Sequence, residues 1–396
     1  MRIGWTSNAP WSPTGYGTQT AEVVPFIKKD GHEVAVMANY GLAGTTILWN
    51  GIQVMGQGAE AYSNDLTPSQ IANWIGEGNV GIGISLYDVW VYKNPLWDNL
   101  PMLCWTPVDH EMPPVQVCEW FTRGTDIGRW AVAMTSHGKE ALIRSGIDKE
   151  RVFYAPHSFS GDVFKPTDSK MRAEMNVPED AHLTMINSAN KGLAPIRKCW
   201  PEMLIAWTEF AKAHKDAYLY IHSEVYGIFN GVNILRLLYA IDAPVDRVKI
   251  VPQFEMRQGL ASSVLANLYS TSDVLLMTSR GEGFGIPAIE AQACGTPIIV
   301  TNFTAQPELV GSGWIVEGRR EWDEIQTGWW KVPEVDGIIE ALNQSYSLKG
   351  KTKDYRIARK KAVEFAKKYE TGYVYKTHWK KILKQIEEYQ PKVRRA

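Results

Sequence analysis

Two glutamates and several glycines stand close together in the segment 278–301, TSRGEGFGIPAIEAQACGTPIIVT. Glu282 and Glu290 have seven residues between them, and glycines flank the first of the two. Carboxylates accept hydrogen bonds from sugar hydroxyls, and the backbone N–H groups of a glycine-rich loop before a helix bind anions such as phosphate. These residue types at this spacing favour a site for a phosphorylated sugar.

The elements around the two glutamates predict where that site lies. The apolar run 273–277 predicts a buried strand, residues 287–293 predict a helix that Gly295 ends, and residues 296–301 predict the next strand. Strand, glycine loop, helix and strand make one βαβ unit, and ligands of such sheets bind beyond the carboxyl ends of the strands. The glycine-rich loop is expected at that edge.

A second candidate loop follows the predicted first strand. Gly15 and Gly17 stand just before a helix that is expected from about residue 18 to residue 29. Glycines at such a place let the backbone approach a ligand closely. The pair lacks the third glycine of the dinucleotide-binding fingerprint, so a diphosphate-binding loop and a flexible turn are both compatible with it.

Polar and aromatic residues follow two further predicted strands. Tyr87 and Asp88 come directly after one of them, and Asp109 and His110 follow the next. A histidine between two carboxylates in a ligand-facing loop is suited to proton transfer or to binding a substrate hydroxyl. His110 is therefore a candidate catalytic residue, with a structural role as the alternative. The acceptor-side candidates are Asp109, Tyr87 and Asp88.

The string E-G-F-G-I-P-x-x-E, with S-T-S-D-V-L-L-M-T-S before it and C-G-T-P-I-I-V-T after it, resembles the E-x7-E signature of retaining GT-B glycosyltransferases of family four. The alternative is a generic Rossmann-like turn with incidental glutamates. The resemblance implies an α/β fold of the GT-B class, with two facing Rossmann-like domains and a deep interdomain cleft. It implies an acceptor-side domain over residues 1–165, a nucleotide-sugar donor domain over residues 166–372, and a helix at about 373–396 that crosses back onto the first domain.

The resemblance also assigns most of the donor-sugar site to the glycine-rich loop and its helix. Glu282 is expected to hold hydroxyls of the donor sugar, and Glu290 is expected to hold the hydroxyls of the ribose. The backbone N–H groups expected to complete this site are those of Gly283, Phe284, Gly285 and Ile286.

Positive charge is implied for the donor diphosphate. Arg197 and Lys198, at a predicted helix entrance, resemble the family's R-K pair, although a surface lysine is the alternative for Lys198. Gly15 and Gly17 would face the same diphosphate. Cations there neutralise the charge of the leaving group, and no DxD-like sequence stands in a metal position, so neither a metal nor a cofactor is expected. The implied catalytic residues are His110, Glu282 and Lys198.

The implied function is that of a nucleotide-sugar-dependent hexosyl- or other glycosyltransferase. Such an enzyme moves a sugar from a nucleotide diphosphate sugar to an acceptor hydroxyl with retention of anomeric configuration. A phosphorylase or sugar-phosphate enzyme of the same fold is one alternative, and a non-catalytic sugar- or nucleic-acid-binding protein on this scaffold is another. The sequence leaves open the donor base, the sugar, the acceptor, the oligomeric state, and the roles of residues 39–65 and of the Trp-rich segment 321–332.

Length and composition are consistent with this class. A chain of 396 residues with 45% hydrophobic residues predicts two globular domains. The sequence contains no run of eighteen apolar residues, so no membrane span is predicted. The amino terminus lacks the layout of a signal peptide. The four cysteines form no C-x-x-C pair, so a reduced, cytoplasmic setting is expected.

Charge and aromatic residues bear on the acceptor. From Lys349 onward the chain has sixteen Lys and Arg against five Asp and Glu, although the net charge of the whole is −1. This asymmetry keeps a nucleic acid or a lipid-linked acceptor at a membrane surface open as a partner. A small glycoside or glycan is favoured, because aromatic rings also stack on small sugars. The aromatic candidates are Trp11, Tyr16, Tyr87, Trp90 and Trp105.

Overall fold

The computed structural model describes residues 1–123, 126–192, 194–350 and 353–394. The chain divides into two units. Unit 1 comprises Met1–Phe159, Glu324–Gly328 and Tyr369–Ala396, and unit 2 comprises Ser160–Asp323 and Trp329–Lys368. The resemblance placed these changes of domain after residues 165 and 372. In the Lys- and Arg-rich part of the chain from Lys349 onward, positions 351, 352, 395 and 396 lie outside the described residues.

Unit 1 is built on an eight-stranded sheet. Its strands are β1 (Arg2–Ser7), β2 (Glu33–Ala38), β3 (Thr46–Trp49), β4 (Ile52–Met55), β5 (Gly81–Leu86), β6 (Met102–Thr106), β7 (Arg129–Ala133) and β8 (Val152–Tyr154). The strand order is β3-β4-β2-β1-β5-β6-β7-β8, and every neighbouring pair is parallel except β3 and β4. The chain leaves β1 in one direction and returns to its other side at β5. The carboxyl ends of β1 and β5 therefore form the topological switch point of this sheet, where ligands bind in such folds.

Among the described residues of unit 1, four α-helices connect the strands: α1 (Gly15–Lys29), α2 (Thr67–Ile75), α3 (Val115–Arg123) and α4 (Ser136–Arg144). Helix α1 begins earlier than predicted, because the Thr14 side chain caps it by accepting the N–H of Gly17 at 3.1 Å. Gly15 and Gly17 therefore lie in the first helical turn and not in a loop before it. Gly17 is also required by packing, since a Cβ there would lie 2.4 Å from the carbonyl oxygen of Ser12.

Helix α3 was not expected from the sequence. Its buried residues Val117, Trp120 and Phe121 are spaced three and four apart, as on one face of a helix. The prolines that precede it and the β-branched residues in its first turn hide this short pattern in the sequence.

Unit 2 contains a six-stranded parallel sheet and a separate pair of strands. The strands are β9 (His182–Asn187), β10 (Ala217–His222), β11 (Val248–Ile250), β12 (Val274–Met277), β13 (Ile298–Thr301), β14 (Gly313–Val316), β15 (Gly318–Asp323) and β16 (Gly328–Pro333). The large sheet has the order β11-β10-β9-β12-β13-β14. Its switch point lies between β9 and β12, so the loops after these two strands meet at one edge.

The helices described in unit 2 are α5 (Met171–Glu174), α6 (Trp200–Ala213), α7 (Ile234–Ala240), α8 (Gln253–Gln258), α9 (Ser262–Thr271), α10 (Ile286–Ala293), α11 (Val335–Ser347) and α12 (Lys353–Ala366). The predicted βαβ unit is present as β12, α10 and β13, with Leu275 paired to Ile298 in parallel. Gly295 ends the helix with a φ of +86°. The sheet strands are buried on both faces, and therefore their sequences are nearly continuous apolar runs.

The Trp-rich segment, which had no predicted role, forms the strands β15 and β16. Trp322 and Trp329 pack edge to face with ring centroids 5.1 Å apart, and the guanidinium of Arg320 lies 4.7 Å from the Trp329 ring. Cross-strand aromatic and cation–π contacts of this kind stabilise a strand pair.

The last helical segment of the described chain completes the core of unit 1. It consists of α13 (Thr371–Val374), a π-helical turn (Tyr375–Trp379) and α14 (Lys380–Glu388). Trp379 is fully buried, with its ring centroid 6.1 Å from that of Trp5 and 4.9 Å from that of Trp105. The apolar residues Ile382, Leu383 and Ile386 of α14 are buried, and its lysines face solvent. Among the described residues, no helix is both long and apolar enough to cross a membrane.

We expect Trp379→Ala to reduce the free energy of unfolding by about 3–5 kcal/mol, because it leaves a large cavity between Trp5 and Trp105. Denaturant unfolding followed by tryptophan fluorescence and circular dichroism measures the change. Tyr373→Ala is the matched control, since Tyr373 lies on the same helical segment but is 52% exposed. An equal loss of stability in the two variants would contradict a core role for Trp379.

Candidate active site

The candidate active site of unit 2 lies at the carboxyl ends of β9 and β12. The loop after β12 carries Glu282, and the loop after β9 leads to Arg197 and Lys198 at the entrance of α6. The two loops are joined through their backbones, because the N–H of Arg280 donates to the carbonyl oxygen of Arg197 at 2.8 Å. The structure thus brings the adjacent residues Arg197 and Lys198 to Glu282, which lies more than eighty positions further along the sequence. Leu193, in the same loop as Arg197, lies outside the described residues.

Glu282 is the buried carboxylate at the centre of this site. Its side chain is only 5% exposed, and it forms ion pairs with both cations. Nη1 of Arg197 lies 2.9 Å from Oε2, and Nζ of Lys198 contacts Oε1. The hydroxyl of Ser279 donates to Oε1 at 2.6 Å. A buried charge with three donors around it is compensated, whereas an isolated one would be strongly unfavourable.

The ionisation of Glu282 follows from these contacts. Burial by itself raises the pKa of a carboxyl group, but the charges of Arg197 and Lys198 and the hydrogen bonds from Lys198 and Ser279 act in the opposite direction. Together they lower the pKa of Glu282 to about 2. The group is therefore a carboxylate at neutral pH, a form that accepts hydrogen bonds from hydroxyls and does not donate a proton.

A further loop fixes the backbone of Glu282. Its N–H donates to the hydroxyl of Thr304 at 2.9 Å, and its carbonyl oxygen accepts the N–H of Ala305 at 3.4 Å. Thr304 has a φ of +50°, an uncommon conformation for a non-glycine residue. The position of the carboxylate is thus set by the loops after β9, β12 and β13.

The amino terminus of α10 follows Glu282 by a few residues. The residue before the helix is Gly285, whose φ of +111° excludes other residues without strain, and a Cβ there would lie 3.0 Å from Cε of Met277. A glycine in this position supplies no side chain to cap the helix, so the positive end of the helix dipole is not covered by a capping side chain. This arrangement is suited to an anion such as a phosphate.

Glu290 lies one turn into α10 and is also buried, with 6% exposure. The hydroxyl of Tyr269 donates to its Oε2 at 3.1 Å, and the side-chain amide of Asn187 donates to the Tyr269 hydroxyl at 2.7 Å. Burial raises the pKa of Tyr269 well above its usual value, so the hydroxyl remains a donor. Glu290 is therefore held by a chain of hydrogen bonds that begins at the carboxyl end of β9.

Arg280 links the candidate site to the strand pair β15–β16. Its guanidinium pairs with Glu321 of β15 and lies 3.9 Å from Glu202 of α6. Its carbonyl oxygen accepts the N–H of Lys331 in β16 at 3.0 Å. The Trp-rich strands therefore support the loop that carries Glu282.

Unit 1 holds the remaining predicted site residues. His110 is fully buried, and its Nδ1 lies 2.9 Å from Oδ1 of Asp109. Its assignment as a catalytic residue, and the assignments of Gly15 and Gly17 to the diphosphate, stay predictions. Trp105 cannot stack on a ligand in this structure, because it is fully buried in the core against Trp379.

Several residues around the two glutamates were not predicted. Ser279 and Thr304 bond to Glu282, and Asn187 and Tyr269 hold Glu290. Ser279 and Asn187 had a usable signal, since each is a polar residue at the carboxyl end of a buried strand. Tyr269 lies inside a helix and had none. In the part of the chain that the structure describes, no three His, Cys, Asp or Glu side chains are grouped as a metal site would require.

Comparison with solved structures identifies the class of fold. Sucrose-phosphate synthase from Thermosynechococcus elongatus aligns with a TM-score of 0.73 and 16% identity over 98% of this chain and 100% of that one. An Anabaena protein solved in complex with UDP and glucose aligns with a TM-score of 0.68 and 14% identity over 97% and 99%. The fold is GT-B, with two Rossmann-like α/β units, as the sequence resemblance implied.

Comparison of sequences relates part of unit 2 to a family of glycosyltransferases. Residues 248–363 match the family described as glycosyl transferases group 1, which confirms the resemblance of this segment to that family. A D-inositol 3-phosphate glycosyltransferase from Xylanimonas cellulosilytica is 29% identical over 176 residues, which are 42% of this chain and 39% of that protein. The chain thus spans about two fifths of the length of the curated relatives it matches. The family match over residues 248–363 includes β12, the glycine-rich loop and both glutamates.

We predict that the ion pairs of Glu282 contribute to stability in a pH-dependent way. Its lowered pKa gives a contribution that is fully present above the usual value of 4.5 and is lost as the pH falls through about 2. The difference in thermal midpoint between the wild-type protein and Glu282→Gln should therefore shrink between pH 5 and pH 2.5. The exposed Glu255→Gln serves as the control. A difference that stays constant over this pH range would contradict the ionised, paired state of Glu282.

Proposed function

We propose that this protein is a glycosyltransferase that transfers a sugar from a nucleotide diphosphate sugar to an acceptor hydroxyl. The anomeric configuration is retained, and no divalent metal takes part. The observation that carries the proposal is the buried Glu282 carboxylate, paired with Arg197 and Lys198 near the start of α10, which no side chain caps. A carboxylate that can accept hydrogen bonds from hydroxyls, two cations and a helix end suited to an anion lie at one edge of a sheet, which supports the proposal.

Each group suits one part of the donor. The cations and the start of α10 bind the diphosphate, and Glu282 accepts hydrogen bonds from sugar hydroxyls. Arg197 has five N–H donors and 31% of its side chain is exposed, so it can bind a phosphate oxygen while it still contacts Glu282. Glu290, on the same helix, binds the hydroxyls of the ribose. The Anabaena structure, which contains UDP and glucose, supports a uridine nucleotide as the first donor to test.

Bond making and bond breaking occur on one face of the sugar. The bond between the anomeric carbon and the diphosphate oxygen breaks, and the acceptor oxygen forms its bond to the same carbon from the same side. The proton of the acceptor hydroxyl passes to the departing phosphate oxygen. Lys198 and Arg197 stabilise the charge that develops on the leaving diphosphate, the role for which other enzymes use a metal ion.

We expect Glu290→Gln to weaken UDP binding about tenfold or more, because ribose hydroxyls lose a charged acceptor. Glu282→Gln should leave the affinity for UDP unchanged or increase it, because Arg197 and Lys198 are no longer neutralised, and it should lower transfer from UDP-glucose. Calorimetric titration and a coupled assay of UDP release separate the two effects, with Glu255→Gln as the exposed control. If Glu290→Gln binds UDP as tightly as the wild-type protein does, Glu290 does not bind the ribose.

We expect Lys198→Ala to lower turnover by about 10²–10³-fold, because stabilisation of the leaving diphosphate is lost. Lys212→Ala removes an exposed lysine near the other end of α6 and should leave turnover unchanged.

Activity should survive EDTA, and NMR of the product should show the anomeric configuration of the donor. Loss of activity with EDTA and its recovery with Mg²⁺ or Mn²⁺ would refute metal independence. Product formation that requires inorganic phosphate and no nucleotide would indicate a phosphorylase.

A further inference from the structure

Three tyrosines meet at the switch point of unit 1. The ring centroid of Tyr87, directly after β5, lies 5.4 Å from that of Tyr16 in α1 and 5.8 Å from that of Tyr62, and both pairs are edge to face. We call these three residues the tyrosine cluster. It lies beyond the carboxyl ends of β1 and β5, the edge at which such sheets bind ligands.

Tyr87 is the fixed member of the tyrosine cluster. It is 5% exposed, and its hydroxyl donates to Oδ1 of Asn8, the residue after β1. The amide of Asn8 in turn donates to the hydroxyl of Thr14 at 2.7 Å. Burial raises the pKa of Tyr87, so it remains a neutral donor. A single hydrogen-bonded chain thus joins β1, β5 and the cap of α1.

Tyr62 is held in an unfavourable backbone conformation. Its φ is +56° and its ψ is +23°, and the next residue, Ser63, has a φ of +52°. Left-handed conformations are rare for bulky residues and strain the backbone. The ring is only partly buried, since Tyr62 remains 42% exposed.

The neighbouring side chains Asn64 and Asp65 enforce this conformation. The Asp65 carboxylate accepts the backbone N–H groups of Ala59 at 2.8 Å and of Glu60 at 3.2 Å. The Asn64 amide donates to the carbonyl oxygen of Val91 at 2.9 Å, and its oxygen accepts from Lys93 and Trp97. The loop therefore presents an exposed aromatic ring in a fixed position against Tyr87.

The loops around the tyrosine cluster contain more acidic than basic residues. Asp88 follows Tyr87, and burial together with the Asp88 carboxylate raises the pKa of Tyr62. The three loops that surround the cluster, residues 8–14, 56–66 and 87–94, contain three acidic residues and one basic residue, Lys93. A phosphate or carboxylate placed there meets repulsion, whereas a sugar hydroxyl can donate to Asp88.

We infer that the tyrosine cluster and Asp88 form an acceptor subsite for an uncharged sugar ring, and this inference rests on the proposed glycosyl transfer. The exposed Tyr62 ring packs against the C–H face of the sugar, and Asp88 accepts its hydroxyl protons. Aromatic rings combined with a few fixed polar groups are typical of ligand sites. The subsite selects a neutral glycoside over a sugar phosphate.

Variants at Tyr62 can separate ligand binding from folding. Tyr62→Asn removes the ring but tolerates the left-handed backbone, so its thermal midpoint should be equal to or higher than that of the wild type. Tyr62→Phe keeps the ring and should bind as the wild type does. Asp88→Asn removes the charge and keeps the shape. The exposed Tyr373→Ala is the matched control within unit 1.

Saturation-transfer NMR titrations measure affinity, with UDP present at saturation. The probes are the methyl α-glycosides of glucose, mannose and galactose, maltose, and the 6-phosphates of the same methyl glycosides. At least one neutral probe should bind the wild type more tightly than its phosphate. Tyr62→Asn should weaken that binding about threefold to tenfold, and Asp88→Asn should weaken it about tenfold and reduce the preference over the phosphate.

The controls distinguish failure of this inference from failure of the proposed function. UDP binding that persists without binding of any neutral probe, or with tighter binding of the phosphates, overturns the neutral subsite and leaves the donor site intact. Unchanged affinity for the neutral probe in Tyr62→Asn also overturns it. Absence of binding by UDP-, GDP- and ADP-sugars in a thermal-shift screen overturns the proposed function itself.

Discussion

The pairing of the buried Glu282 carboxylate with Arg197 and Lys198 is the interaction on which the candidate donor site depends. It joins the loops that follow two adjacent strands, and it balances a charge that would otherwise be unfavourable in the interior. Because the contacts hold Glu282 ionised, its chemistry is restricted to accepting hydrogen bonds and to electrostatics. The two cations, only partly buried, remain able to contact an anion from solvent.

The two candidate subsites keep their geometry by different physical means. At Glu282 the ion pairs with Arg197 and Lys198 and the backbone hydrogen bonds all favour the same geometry, so the arrangement is itself stabilising. At Tyr62 the backbone is strained, and it is held by hydrogen bonds that the Asn64 amide donates and the Asp65 carboxylate accepts. Backbone strain of this kind clusters at ligand-binding sites.

Much of the fold could be predicted from the sequence, because parallel strands buried on both faces leave continuous apolar runs. The segment around β12, α10 and β13 was predicted closely, and Gly295 marked the end of its helix. Helix α1 was placed too late, because Gly15 and Gly17 resemble a loop and the cap from Thr14 is a side-chain contact. The partners of Glu290 were missed for a related reason, since the Tyr269 bond spans 21 residues and depends on how α9 packs against α10.

The position of Trp379 in unit 1 also affects how the protein is made. Its ring fills the space between Trp5 and Trp105, yet the ribosome adds it only after all of unit 2. Unit 2 can therefore complete its core during translation, whereas the apolar surface of β1 and β6 that Trp379 covers stays exposed until the last helical segment is made. During synthesis, chaperones that bind exposed apolar segments would meet unit 1 for longer than unit 2, although unit 1 emerges first.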